Sequence, residues 1–256
     1  MRELTVPRAG GITAALFGAW SGADPHRPRL VWHGTGRTEL STASLTNWSA
    51  KTAGYLIDEL GAAPGDPVLW RVRRSWQGLP LLLGCWWAGL LVVDDERLAG
   101  GDVVAAFVDA GDDTADDLAA DEIVAASPHP FGLAVPGLPA LQRNVADAIL
   151  PQADRFAPRS PGPAAEAPAV VTAAGTLTVG EVLAGARQAA ASLGDGAVLL
   201  ATQIPTLPDA VIAGPLAAWA TGGTFVHADA TPDRVAADER TTATIGVDVS
   251  GLPRIG

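Results

Sequence analysis

The segment Leu40-Ser41-Thr42-Ala43-Ser44-Leu45 returns later in the chain as Leu177-Thr178-Val179-Gly180-Glu181-Val182. From position 40 to position 177 the offset is 137, and it also carries Ala53 to Ala190 and Leu56 to Leu193. Further on, Trp87-Ala88-Gly89 ahead of Leu90–Val93 finds its match in Trp219-Ala220-Thr221-Gly222 ahead of Thr224-Phe225-Val226. Self-similarity of this kind means one supersecondary unit used twice. Each copy reads strand, helix, strand, helix, glycine, strand, the alternation that builds parallel sheets flanked by helices. The expected fold class is therefore α/β, with two related three-layer subdomains packed face to face. The expected division is residues 1–156, a Pro/Ala/Gly/Ser-rich linker at 157–168, and residues 169–256.

Local patterns fill in the copies. Ile12–Trp20 reads as a short amphipathic helix. Leu30-Val31-Trp32 and Thr38–Leu40 read as strands about a His33-Gly34-Thr35-Gly36 turn; this Gly-x-Gly lacks the third glycine and helix of a dinucleotide fingerprint. Ser44–Leu60 places Leu45, Trp48, Ala53, Leu56 and Ile57 near a 3.6-residue period, with Ser41 and Thr42 as caps. Val68–Trp70 and Leu90–Val93 read as buried strands around a nearly all-apolar helix, Trp76–Ala88. The acidic stretch Asp109–Glu122 does not match the EF-hand spacing and reads as a solvated helix, followed by a strand at Glu122–Ala126.

Composition removes several functions. Among 256 residues, 28 acidic against 17 basic give a net charge of −11, which argues against a nucleic-acid surface and against anionic membrane. Leu79–Val93 is shorter than the ~20 residues needed to cross a bilayer. The apolar stretch Gly11–Trp20, flanked by Arg2, Glu3 and Arg8, lacks a signal-peptide cleavage pattern, so a cytoplasmic location is expected. Cys85 sits in an apolar run with no histidine nearby and reads as a small buried hydrophobe. The four histidines are scattered without metal-ligand spacing, and no Gly-x-Ser-x-Gly elbow is present. Eight tryptophans would mark a partner surface if Trp20, Trp32, Trp48 and Trp76 formed an exposed cluster.

The order of motifs resembles the start of the adenylate-forming superfamily: acyl-CoA synthetases, luciferases and peptide-synthetase adenylation domains. Their "L-T/S-Y-x-E-L" is similar to Leu40-Ser41-Thr42-Ala43-Ser44-Leu45, and their "K-A-G-x-x-x-V-P-L-D" to Trp87-Ala88-Gly89-Leu90-Leu91-Val92-Val93-Asp94. Pro64-Gly65-Asp66 matches most of the joint that precedes a strand in that family. The stretch from Leu138-Pro139 to Ala153-Asp154-Arg155-Phe156 resembles a family of short actinobacterial proteins related to these enzymes.

That resemblance implies an ATP phosphate loop, "T-S-G-T-T-G-x-P-K-G", after the second motif. Here Val170-Val171-Thr172-Ala173-Ala174-Gly175-Thr176 stands in its place, without the repeated hydroxyls, the paired glycines or the lysine, and is expected to run directly into the second-copy helix. Gln203-Ile204-Pro205-Thr206 stands where "P-x-F-H" is expected. The later nucleotide motifs and the carboxy-terminal lid have no counterpart in the sequence. Lys51, the single lysine, lies far upstream in the first helix.

The expected protein is a degenerate, non-catalytic relative that binds a partner or small ligand. The alternatives are an enzyme with altered chemistry and half of a split acyl or aminoacyl ligase. No catalytic residue, metal ligand or cofactor is assigned. The candidate ligand-contacting residues are Thr172, Gly175, Thr176, and the pair His227 and Asp229 at a strand end, where α/β sheets hold ligands. Partners it allows are another protein chain or copies of itself.

Overall fold

The computed structural model describes residues 11–158 and 162–255. Residues 159–161 of the expected linker, together with Arg2, Glu3 and Arg8, lie outside the described residues. Helix α1 (Gly11–Ala19) precedes a hairpin of β1 (Pro28–His33) and β2 (Arg37–Ser41). Helix α2 (Thr42–Gly54) begins where the Ser41 hydroxyl accepts the Ser44 N–H, and it runs into a π-helical turn, Tyr55–Glu59. Then come β3 (Pro67–Arg71), α3 (Gly78–Ala88), β4 (Leu91–Val93), β5 (Ala105–Asp109), β6 (Ile123–Ala126), β7 (Gln142–Asn144) and α4 (Val145–Ala148). Helix α3 stops at Gly89, whose φ of 82° is left-handed and costs glycine nothing.

The second copy opens with its own hairpin, β8 (Pro168–Thr172) and β9 (Gly175–Thr178). Helix α5 (Val179–Ala190) starts in a capping box between Thr178 and Glu181. After β10 (Val198–Ala201), α6 (Asp209–Val211) passes through a π turn at Ile212–Leu216 into α7 (Ala217–Ala220). The chain closes with β11 (Thr224–Ala228), α8 (Pro232–Asp238), β12 (Ala243–Ile245) and β13 (Arg254–Ile255).

These strands form two sheets, ordered β13-β12-β10-β11-β1-β2 and β7-β6-β5-β3-β4-β8-β9. Aligned at their hairpin ends, the six strands of the first sheet correspond to six of the seven in the second, and β7 is left over. Each sheet is parallel except for its terminal hairpin. The hairpins are exchanged: β1 pairs with β11 of the second copy, and β8 pairs with β4 of the first. Both hairpins slip register at the same place, between Pro28 and Leu30 and between Pro168 and Val170. Each sheet therefore takes strands from both sides of residues 157–168, so the boundary expected there is not the boundary between the sheets.

Helices α1, α2, α3, α5 and α7 lie between the two sheets, and α8 packs on an outer face. Alternate strand residues show this directly: Leu30, Trp32, Phe225, Val68 and Trp70 join one large core with α1, α2, α3, α5 and α7. Their neighbours Val31 and Val226 face one outer core, and Leu69 faces another. Where α2 crosses α3, Gly84 allows the approach, since a Cβ there would stand 2.3 Å from Thr52 Cβ.

Two expectations need correction. Asp109–Glu122 is not a helix: Asp109 ends β5, Gly111 turns with a positive φ, and only Ala115–Asp117 makes a single 3-10 turn. The stretch after Val171 does not enter a helix directly, because strand β9 intervenes. The tryptophans form no exposed cluster: six are buried, and Trp48 and Trp87 pack partly buried against the core. Among the described residues, no helix is long and apolar enough to cross a membrane.

Candidate functional site

The β8–β9 turn occupies the position at which a phosphate loop was sought. Thr172 pairs with Gly175, so Ala173 and Ala174 alone make the turn. The Thr172 hydroxyl accepts the Ala174 N–H at 3.2 Å and is spent closing its own turn. Gly175 and Thr176 are exposed. Lys51 is held elsewhere: its ammonium donates to the carbonyls of Leu150 and Gln152 and lies 3.0 Å from Asp154.

His227 and Asp229 lie at the carboxyl end of β11, on the other sheet from Thr172. His227 is fully buried, and its ring stacks on Trp32, its register partner on β1, at 3.9 Å between centroids. Its Nε2 is 2.7 Å from Asp229 Oδ1. A carboxylate only accepts, so Nε2 carries the proton and Nδ1 is the acceptor side; Nδ1 is buried without a hydrogen-bond partner. Burial pushes the imidazole pKa down, against the opposing pull of Asp229, so the ring is neutral near pH 7. Gly34 keeps the turn above this pair open, since a Cβ there would reach Trp32 Nε1 and Asp229 Oδ2.

The next strand residue faces the other way and serves the turn. His33 Nε2 is 2.7 Å from Glu239 Oε1, and Arg37 Nε donates to the same oxygen at 2.7 Å. The Arg37 hydrogen bond is the main reason the Glu239 carboxyl is held below its ordinary range. Two small cavities flank the strand ends. One of about 10 Å³ lies among Trp32, Trp70, Ser75 and Pro205, and one of about 60 Å³ among Ala201, Gln203, Pro205, Phe225 and Ile245. His227 borders neither. A histidine–carboxylate pair can serve as a general base when its free nitrogen reaches a substrate; here Trp32 covers the ring. The structure thus joins His227 to Asp229 and places Thr172, Gly175 and Thr176 apart from them.

Sequence reading did not single out Trp32 as the lid over His227, nor the Glu239 cluster. Trp32 had a signal, since it and His227 are each the penultimate residue of a strand. Glu239 follows α8, far along the chain, and had none.

No protein-family model matches the chain. A protein of Mycobacterium tuberculosis (strain ATCC 25618 / H37Rv), described as a TIGR03089 family protein, is 32% identical over 239 residues, 87% of this chain and 90% of that protein. Apo MatB from Rhodopseudomonas palustris is similar in structure, with a TM-score of 0.72 at 17% identity over 93% of this chain and 49% of its own. A Brucella canis acyl-CoA synthetase gives 0.74 at 14% identity, over 94% and 48%. The anthranilate CoA ligase AuaEII, solved with anthranoyl-AMP, gives 0.68 at 13% identity, over 94% and 50%. The fold is that of the acyl-CoA synthetase amino-terminal domain, and the chain spans about half the length of these solved structures.

Proposed function

We propose that this chain, which belongs to the TIGR03089 family, works by binding rather than by adenylation: a non-catalytic relative of the acyl-CoA synthetase-like ligases that holds a small ligand or a partner chain. The observation that carries the reading is the two-residue turn between Thr172 and Gly175. Phosphoryl chemistry needs backbone amides, a metal ion and a cationic side chain converging on the phosphate oxygens, each worth ~10²–10³ in rate. Ala173 and Ala174 offer no such cradle, Thr172 closes its own turn, and Lys51 is tied to Leu150, Gln152 and Asp154. At the strand ends, where adenylation would occur, the cavities of about 10 and 60 Å³ fall short of the roughly 300–1,000 Å³ of small-molecule sites.

The test is ATP–pyrophosphate exchange by the purified chain with a panel of fatty, aromatic and amino acids. Exchange indistinguishable from the acid-free blank is expected. Acid-dependent exchange that Thr172→Ala abolishes would overturn the reading. Exchange that appears only when a second chain is added would replace it with a split ligase.

A further inference from the structure

Trp86, rather than the neighbouring Trp87, is the structural counterpart of Trp219, each standing three residues before a positive-φ glycine, and there the two copies differ in charge. Trp86 Nε1 donates to the Ala169 carbonyl at 3.2 Å, and Trp219 Nε1 donates to the Arg29 carbonyl at 2.7 Å. In each case a tryptophan from one copy clamps the second residue of the other copy's hairpin, just after Pro168 or Pro28. A cavity lies beside each clamp, at the amino-terminal end of the parallel strands. The one beside Trp86 holds about 290 Å³ and is walled by Ile57, Pro64, Trp87, Phe156 and Pro163. The one beside Trp219 holds about 430 Å³, and among its walls are Trp20, Trp219, Arg27 and Arg29.

Arg29 stands where the other copy has alanine. Its residue is 1% exposed. The guanidinium lies 4.4 Å from the Trp20 ring centroid, a cation–π placement. Its Nε donates to Thr42 Oγ1 at 2.9 Å and its Nη1 to the carbonyls of Gly222 and Gly223. Nη2 is used by none of the described hydrogen bonds. Arg27 beside it makes one long contact, to the Gly196 carbonyl at 3.4 Å. Among the described residues, neither guanidinium is ion-paired; Asp195 also borders the cavity and is itself engaged. Burial, and then the like charge of Arg27, press the Arg29 pKa down to about 10. A desolvated cation with a second cation beside it is destabilising unless an anion joins it. The Trp86–Ala169 clamp forms without any arginine, so the charge is not what holds the hairpin.

We propose that this cavity binds the carboxylate or phosphate group of a small organic anion, with Arg29 and Arg27 on the anionic head and Trp20 and Trp219 around its apolar body. A planar guanidinium with free N–H groups fits either oxyanion, and the volume lies within the range of small-ligand sites. The site is remote from the strand ends where adenylation would occur, so the proposal stands whether or not the chain adenylates.

The experiment titrates the full chain with inorganic phosphate, AMP and hexanoate, with hexanol as a neutral control, followed by tryptophan fluorescence and calorimetry. A saturable response to at least one oxyanion, weaker at high salt and absent for hexanol, is expected. Hexanoate alone would identify a carboxylate ligand, and phosphate or AMP alone a phosphate ligand. Arg27→Gln should weaken Kd about tenfold or more with an unchanged circular dichroism spectrum. Arg29→Ala, which installs the other copy's residue, should abolish binding. If Arg29→Ala fails to fold, Arg27→Gln decides alone. No saturable response to any of the three oxyanions up to about 10 mM, well above a millimolar Kd, would overturn the proposal. So would binding that Arg27→Gln leaves unchanged.

Discussion

Replacing Trp219 by phenylalanine removes one of the two clamps that hold the exchanged hairpins. Trp219 is 1% exposed, and its indole reaches across 190 residues of sequence to the Arg29 carbonyl at 2.7 Å. Without the indole N–H that carbonyl loses a buried donor, at a cost of about 1–3 kcal/mol. The smaller ring leaves a void of a few tens of Å³, which at ~24 cal/mol per Å³ adds on the order of 1 kcal/mol. The backbone carbonyl of Trp219 keeps its bond from Trp20 Nε1, so the helix itself is not unmade. The sum, about 2–4 kcal/mol, should appear in urea unfolding followed by far-ultraviolet circular dichroism as a lowered midpoint at unchanged slope. Trp86→Phe should act in the same direction and less strongly, since its bond to Ala169 is longer at 3.2 Å. A Trp219→Phe protein within about 0.5 kcal/mol of the parent would refute the clamp. So would a large loss for Trp219→Phe alongside none for Trp86→Phe.

Gly84→Ala should destabilise by about 1–3 kcal/mol in the same assay through overpacking. Adding Thr52→Ala should not rescue it, because the closest atom is the Thr52 Cβ, at 2.3 Å; full rescue would show that the helices move apart freely. His227 makes stability depend on pH. Its folded pKa lies below the ordinary 6.5, so just below pH 6.5 the unfolded chain binds the proton that the folded chain refuses, and stability falls as pH falls. His227→Gln should flatten that part of the stability–pH curve, and an identical slope in both proteins would count against a neutral, buried ring.

The elements were legible where local signals agreed. Gly89 and Gly222 follow tryptophan-bearing helices, and both take positive φ. The apolar run Leu30-Val31-Trp32, the turn at His33–Gly36 and the return at Thr38–Leu40 marked a hairpin, and the repeat marked two related units. The exchange of hairpins was not legible, because pairing β1 with β11 and β8 with β4 is a long-range choice that no short window contains. The acidic stretch misled because charge alone does not make a helix. Asp109 is fixed by accepting the backbone N–H groups of Arg73 and Arg74, which come from another strand's end. At the strand-end site, the short spacing from His227 to Asp229 could be read from the sequence, whereas the covering stack of Trp32 needed the register of two strands. Arg29 could have been found by laying Pro28-Arg29-Leu30 on Pro168-Ala169-Val170, where a charge replaces a methyl group.

The exchanged hairpins impose an order of events on a growing chain. Strands β1 and β2 leave the ribosome among the first described residues, yet the strand that flanks β1 ends at Ala228. At ~5–20 residues per second, the roughly 195 residues separating Trp32 from its partner His227 take on the order of 10–40 s to appear. Throughout that interval β1 and β2 can pair only with each other, and a lone two-stranded hairpin is marginal in water. Over part of the same interval Leu91–Val93, paired on one side with β3, presents an open apolar edge on the other, until Val170 and Val171 arrive to cover it. Neither sheet can close on its own copy, so the nascent chain carries one open edge until Val171 appears and another until Ala228 does, and that is when it is most exposed to association with its neighbours.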